Sequence, residues 1–141
     1  MNGVELLKAW YERLWVQGDL SAIDDYFDIS GAASGLMSDL AAELEDFRVL
    51  VPAVLHALRD VSCDILDSME QDDRAWVRMR LNAKRAMDMK PVSISGQVMI
   101  RTKDGKICEA YNNFDFVSYF EQMGNLPPDT VALCLAGESL S

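Results

Sequence analysis

Histidine is nearly absent from this sequence of 141 residues, which contains only His56. A zinc site built from several imidazoles is therefore excluded, and a Ser-His-Asp triad would have to use His56 itself. Cysteine is also scarce, because Cys63, Cys108 and Cys134 are widely spaced and form no CxxC pair. This spacing excludes a zinc knuckle and a thioredoxin motif, and we interpret the three residues as reduced, mostly buried thiols.

Positive charge and long apolar runs are lacking as well. Thirteen Lys and Arg residues stand against 23 Asp and Glu residues, which gives a net charge of −10. A surface this acidic repels phosphate backbones and disfavours nucleic-acid binding. No apolar stretch approaches the roughly 20 residues of a membrane helix, and the N-terminus lacks the pattern of a signal peptide. We therefore expect a cytoplasmic protein with neither nucleic acid nor membrane as a partner.

Hydrophobic residues, by contrast, make up 50% of the chain, enough for a core in a single domain over residues 1–141. Near the N-terminus, apolar residues recur at spacings of three and four, which predicts a helix over residues 2–17. That stripe consists of Val4, Leu7, Trp10, Tyr11, Leu14 and Trp15. Gly18 is expected to end the helix, and Asp19 to cap a second, shorter one.

The remaining pattern predicts an α+β fold with the helices on one face of an antiparallel sheet. Residues 30–35 are small and indicate a loop, and a helical period follows over residues 36–58. Within it, Pro52 predicts a kink or a break into two helices. The predicted strands are 61–69, 74–85, 92–103 and 106–116, and the predicted C-terminal helices are 117–123 and 129–136.

The dipeptide Asp104-Gly105 is a strong hairpin signal between the last two strands. If no bulge intervenes, the turn sets the register, and side chains two apart share one face. In that register the pairs are Ile100 with Glu109, Val98 with Tyr111, Gly96 with Asn113, and Ile94 with Asp115. The last three polar residues then project from an apolar wall with open space above Gly96, which is typical of a small-molecule pocket.

Asp115 has two interpretations. On an apolar face its pKa would rise, and a carboxylate with a raised pKa can abstract a proton next to a carbonyl. Tyr111 or Asn113 would then donate a hydrogen bond to the resulting oxyanion. Alternatively, Asp115 only caps the helix that begins near residue 117.

The preceding strand carries a second polar row, in which Arg78 and Arg80 alternate with apolar residues. In one interpretation the arginines face water and the apolar row faces the core. In the other, Arg78 or Arg80 lies in the cavity as an anion partner for Asp115 or for an acidic ligand.

Two short motifs carry a resemblance to a known family. The segment Trp15-Val16-Gln17-Gly18-Asp19-Leu20 resembles the W-x-x-G-D/N-L junction of SnoaL-like polyketide cyclases, which belong to the NTF2-like superfamily. The C-terminal part is similar to the family's DGKI-x-E-x-W-x-x-x-D and QLG-x-LPPD ending. It contains Asp104-Gly105-Lys106-Ile107, Glu109, Tyr111, Asp115, Gln122-Met123-Gly124 and Leu126-Pro127-Pro128-Asp129.

The resemblance implies a cone-shaped α+β barrel, in which a strongly curved antiparallel sheet wraps around the N-terminal helices and encloses a pocket. It also implies a homodimer through the outer sheet face. In the family's cyclases an Asp on the last strand is the acid/base of an aldol closure that needs neither metal nor cofactor, and Asp115 matches that position. Two residues depart from the pattern: Tyr111 stands where Trp is usual, and Asn113 where cyclases often have His.

The first functional hypothesis is a cofactor-independent lyase or isomerase acting on a small, mostly apolar carbonyl compound. Asp115 is the predicted base, and the predicted substrate-binding residues are Tyr111, Asn113, Val98, Ile94, Gly96, Arg78, Arg80 and Trp15. The alternative is a non-catalytic module of the same fold that binds a hydrophobic small molecule or a protein partner. Epoxide hydrolysis ranks lower, because the related enzymes need an Asp-Arg-Asp set and no Asp lies two residues from either arginine.

Overall fold

The computed structural model describes residues 1–28 and 46–141. Within these ranges the helices are α1 (Gly3–Tyr11), a π-helical segment (Glu12–Val16), α2 (Ala22–Tyr26), α3 (Phe47–His56), α4 (Phe116–Met123) and α5 (Thr130–Leu135). The strands are β1 (Leu58–Gln71), β2 (Arg74–Arg85), β3 (Pro91–Lys103) and β4 (Lys106–Phe114). They form an antiparallel sheet in the order β1-β2-β3-β4. The predicted loop 30–35 and helical residues 36–45 lie outside the described residues.

The N-terminal helical prediction is confirmed, with one difference in geometry. Every residue of the apolar stripe is fully or partly buried. The helix does not stay α-helical to residue 17, because it widens into a π-helix in which Gln17 N–H donates to Glu12 O at 3.0 Å. Gly18 follows with φ of +70°, the left-handed conformation expected where a helix stops.

The core lies between the concave face of the sheet and helices α1 to α3. Alternate residues of the central strands fill it, as the period of two requires. Its fully buried members include Leu7, Leu14, Ile23, Phe27, Val51, Val77, Met79, Val98, Ile100 and Ile107. In the described residues the sheet is open, because β1 and β4 are its two edges. The fold is the α+β cone that the resemblance implied.

Two strand ends differ from the prediction for local reasons. β1 begins at Leu58 rather than at residue 61, because Leu58 and Arg59 pair with the far end of β2. β4 ends at Phe114 rather than at residue 116, because Asp115 is the N-cap of α4 and Phe116 is its first residue. Pro52 lies inside α3, which shows no break in its described length.

Helix α4 is fastened to the sheet by one side chain. The Gln122 side chain accepts a hydrogen bond from Ser93 N–H at 2.8 Å and donates to Ser93 O at 2.8 Å. It thereby pairs with the backbone of β3 much as a strand residue would. Because Gln122 is fixed in this way, Tyr119 and Phe120 on the preceding turn lie over the cavity described next.

Candidate functional site

A cavity of about 330 Å³ lies between the concave sheet face and helices α1, α3 and α4. This volume is at the lower end of the range of about 300–1,000 Å³ for small-molecule pockets. Buried residues such as Leu7, Val98 and Ile100 form its floor, and half-buried residues such as Val54 and Phe120 form its rim. The cavity therefore suits a small guest that enters past the rim.

Aromatic rings form one wall of this cavity. The rings of Trp10 and Phe27 meet edge to face with centroids 4.5 Å apart, and Phe47 lies 6.1 Å from Trp10 and 6.4 Å from Trp15. All four residues line the cavity. Edge-to-face contacts hold such rings in fixed orientations, so this wall keeps its shape when the cavity is empty.

The most buried polar contact in the cavity joins α1 to β4. Tyr11 hydroxyl donates to Asn112 Oδ1 at 3.1 Å, and the two residues are only 5% and 9% exposed. Burial, together with the nearby Cys63 thiol, raises the pKa of Tyr11 far above its usual value. The phenol therefore stays protonated at any physiological pH and acts as a hydrogen-bond donor.

The other polar residues of the lining are Asn82, Ser93 and Tyr119. The Asn82 amide donates to Asp64 Oδ2 at 3.0 Å. Burial raises the pKa of Tyr119, so this phenol is also neutral. Among the described residues of the lining, none carries a carboxylate, an imidazole, an amine or a guanidinium group.

The predicted register of the β3–β4 hairpin is wrong beyond its first two pairs. Lys103 pairs with Lys106 and Thr102 with Ile107, as predicted, but Arg101 then pairs with Glu109. Cys108 is the extra residue of a β-bulge. Because one inserted residue moves every later side chain to the opposite face, the outward and inward residues of β4 exchange places.

Consequently Tyr111 and Asn113 lie on the convex outer face and are exposed, whereas Ala110, Asn112 and Phe114 face the cavity. Tyr111 hydroxyl donates to Glu109 Oε1 at 2.6 Å, and Glu109 forms an ion pair with Arg101. These contacts hold Glu109 ionised and lower its pKa.

The outer face also carries the arginine row. Arg78 and Arg80 are exposed, and in the strand register they stand opposite Asp67 and Asp64 of β1. The interpretation in which they face water is therefore correct, and the one that places them in the cavity is wrong. The homodimer that the resemblance implies through this face stays a prediction.

Three of the predicted substrate-binding residues do line the cavity, namely Trp15, Ile94 and Val98. Gly96 does not border open space. A Cβ at this position would lie 2.3 Å from Phe114 Cδ1 and 2.6 Å from Asn113 O, so the Phe114 ring occupies the place that a side chain would take. The space that glycine leaves is filled by the protein and not by a ligand.

Asp115, the predicted base, is exposed and lies outside the described lining of the cavity. Its Oδ1 accepts a hydrogen bond from Ser118 N–H at 3.0 Å, the contact of an N-cap. Its own N–H donates to Ser95 O at 3.0 Å, which ties the start of α4 to β3. The geometry therefore matches the capping interpretation.

Capping predicts how two variants of this residue differ. Asp115→Ala is expected to lower the free energy of unfolding by about 1 kcal/mol, because Ser118 N–H loses its partner. Asp115→Asn is expected to stay within about 0.5 kcal/mol of the wild type, because asparagine caps helices about as well as aspartate. Urea denaturation of the two variants measures the difference, and equal losses in both would contradict the capping role.

Asn112 is the cavity residue that the sequence did not reveal. The predicted register places Asn112 on the outer face of the sheet, and only the bulge at Cys108 turns it towards the cavity. One weak signal exists in the sequence, since the apolar residues Ile107 and Ala110 are three positions apart, which breaks the period of two. In the structure both of them are buried. Tyr11, the partner of Asn112, was part of the predicted apolar stripe.

No group of three or more His, Cys, Asp and Glu side chains is placed to hold a metal ion in residues 1–28 and 46–141. In the same part of the chain, no helix combines the length and the apolar character needed to cross a bilayer. Cys63 and Cys108 are partly buried thiols, whereas Cys134 is exposed, which differs from the prediction for that residue.

Solved structures share this fold at low sequence identity. AclR from Streptomyces galilaeus, a candidate hydroxylase, has a TM-score of 0.67 and 20% identity, with 87% of this chain and 96% of that chain covered. IdmH from Streptomyces antibioticus, a candidate polyketide cyclase, has a TM-score of 0.68 and 17% identity, with 86% and 97% covered. A protein of ketosteroid isomerase-like fold from Catenulispora acidiphila, in complex with trimethylamine, has a TM-score of 0.66 and 16% identity, with 92% and 98% covered.

No curated protein matches the sequence. The SnoaL-like domain family matches residues 7–110, a span that includes the second half of α1, the π-helix and most of the sheet. Because the match covers well over half of the chain and agrees with the fold, the chain belongs to the SnoaL-like domain family.

Proposed function

We propose that this protein binds a small, largely apolar molecule in the cavity of the cone. The observation that carries the proposal is the lining itself, which in the described residues is aliphatic and aromatic apart from a few neutral polar groups. A volume of about 330 Å³ corresponds to the share of about eleven waters in the liquid, so the guest is of the size of one or two fused rings. Displacement of water from such a surface drives binding.

Cyclase- or isomerase-type turnover of the same guest is the second candidate. Family membership supports this class of function in general terms, as do structural neighbours such as the candidate cyclase IdmH. Tyr11 and Asn112 are neutral groups of the kind that stabilise an oxyanion. Binding ranks first because the described lining offers no group that acts as a base at neutral pH, and Asp115 caps α4 instead. Epoxide hydrolysis is not proposed, because Arg78 and Arg80 are on the outer face.

The binding proposal is tested by titrating the protein with tetralin, a neutral bicyclic hydrocarbon. Trp10 and Trp15 line the cavity, so their fluorescence reports occupancy directly. We expect saturable binding with a dissociation constant on the order of 10–100 µM, which matches about 0.6 kcal/mol per non-hydrogen atom.

A matched pair of variants locates the site. Ala110 is buried in the cavity wall, and Ala110→Phe fills part of the cavity, so we expect tetralin to bind about tenfold more weakly. Ala132 on α5 is exposed and outside the lining, so Ala132→Phe adds the same ring without effect. An absence of saturable binding, or equal affinity in the two variants, contradicts the proposal.

Turnover is tested with 1-tetralone in D₂O. Chemistry of the cyclase or isomerase type passes through an enolate, so an active protein exchanges the hydrogens next to the carbonyl for deuterium, which NMR detects. If the protein only binds, exchange stays at the rate of buffer. Faster exchange that Ala110→Phe abolishes supports the second candidate.

A further inference from the structure

The Tyr11–Asn112 contact leaves one half of the Asn112 amide unused. A primary amide has a carbonyl oxygen that accepts hydrogen bonds and a nitrogen that donates two. Tyr11 hydroxyl occupies the oxygen at 3.1 Å, whereas Nδ2 donates to no protein atom in the part of the chain that the structure describes. Asn112 is 9% exposed and lies in the cavity lining, so this free donor faces the cavity rather than bulk water.

Nδ2 is not among the fully buried atoms without a partner, so it is accessible from the cavity. A guest that covers this donor without accepting its hydrogen bond would lose about 1–3 kcal/mol of binding free energy, so the site favours a guest with an acceptor. The surroundings of Asn112 offer no alternative. Val98 lies opposite on β3, and Phe114 is the next inward residue of β4. The Tyr11 hydroxyl also fixes which end of the amide is presented, because its donated hydrogen bond selects the oxygen and leaves Nδ2 towards the guest.

Charge narrows the class of guest further. The described lining contains no cationic side chain, so a carboxylate in the cavity would lose its hydration without gaining a counter-charge. A neutral acceptor loses far less on entry. The acceptor that fits is the oxygen of a neutral carbonyl group, as in a ketone, a lactone or an ester.

We propose that Asn112 is the specificity-determining residue of the cavity. Its Nδ2 donates a hydrogen bond to the carbonyl oxygen of a neutral, otherwise apolar guest, and Tyr11 is the positioning residue that orients the amide. This inference rests on the proposed function, since it presupposes that the cavity holds a guest. It adds the atom that recognises the guest, and it restricts the recognised group to a neutral carbonyl oxygen.

Tetralin and 1-tetralone form the probe pair, because they differ essentially by the carbonyl group. We expect the wild-type protein to bind 1-tetralone about fivefold more tightly than tetralin, the effect of one net hydrogen bond. In Asn112→Leu, a substitution of similar shape, the ratio is expected to fall to one or below, because the carbonyl oxygen loses its hydration without gaining a donor. Equal affinities for the two probes in the wild type overturn the inference, while saturable tetralin binding leaves the proposed function intact.

Two further variants separate Asn112 from its neighbours and keep the test valid if Asn112→Leu folds poorly. Tyr11→Phe keeps the ring but frees the amide to rotate, so we expect the preference for 1-tetralone over tetralin to shrink about twofold. Tyr119→Phe removes the half-buried phenol of the lining, the other hydroxyl that could donate to the carbonyl oxygen, and is expected to keep a preference for 1-tetralone. A preference that survives in Tyr11→Phe and disappears in Tyr119→Phe assigns the anchor to Tyr119 and overturns the proposal.

Discussion

Replacement of Phe27 by alanine is expected to lower the free energy of unfolding by about 3–5 kcal/mol, the range for a buried phenylalanine. Phe27 is 1% exposed, and its ring meets Trp10 at 4.5 Å. Its backbone also forms a bridge with Ile107 of β4, next to the hydrogen bond from Asp28 N–H to Ile107 O at 2.9 Å. The ring therefore fills the space between α1 and the edge of the sheet.

Urea denaturation measures this loss, and Phe27→Leu is the matched control. Leucine keeps much of the volume, so we expect it to lose less than half as much stability as alanine. Because Phe27 lines the cavity, the void left in Phe27→Ala is continuous with the cavity. Tetralin at saturating concentration binds only the folded state, so we expect it to restore part of the lost stability. A loss below about 1 kcal/mol in Phe27→Ala would show that the ring is not a core residue.

The features that the sequence predicted are those that depend on a repeated local pattern. The stripe through Leu7, Trp10 and Leu14 is spaced at the helical period, so burial of one member implies burial of all. The Asp104-Gly105 turn was predictable because both residues adopt positive φ, +53° and +77°, which few other dipeptides tolerate. The same locality explains why the order of helices and strands came out correctly.

The candidate site was predicted less well, because it depends on a single irregularity. The bulge at Cys108 is not marked by any Gly or Pro next to it in the sequence. It nevertheless places Ala110, Asn112 and Phe114 on the inner face, where the regular register predicted Tyr111 and Asn113. Asp115 shows the second limit. In the sequence, this carboxylate stands both at a capping position before a helix and at the family's position for the acid/base. The 3.0 Å contact with Ser118 N–H, which only the structure shows, is what favours the capping role.

Gly96→Ala is expected to destabilise the protein by about 3 kcal/mol, because the added methyl group has no space. Its Cβ would lie 2.3 Å from Phe114 Cδ1, and the ring has to move. It would also lie 2.6 Å from Asn113 O, a backbone atom held in the ladder between β3 and β4. Movement of a ring is tolerated more readily than separation of two paired strands, so most of the loss comes from the backbone contact.

The two contributions can be measured separately by denaturation of a double variant. In Gly96→Ala/Phe114→Leu the clash with the ring is relieved while the contact with Asn113 O remains. After the effect of Phe114→Leu alone is subtracted, we expect the double variant to recover less than half of the free energy of unfolding that Gly96→Ala loses. Ser95→Ala, at the exposed neighbouring position, is the control and should stay within about 0.5 kcal/mol of the wild type. Full recovery in the double variant would mean that the strands yield easily. The Phe114 ring, which also lines the cavity, would then be the only reason for glycine at position 96.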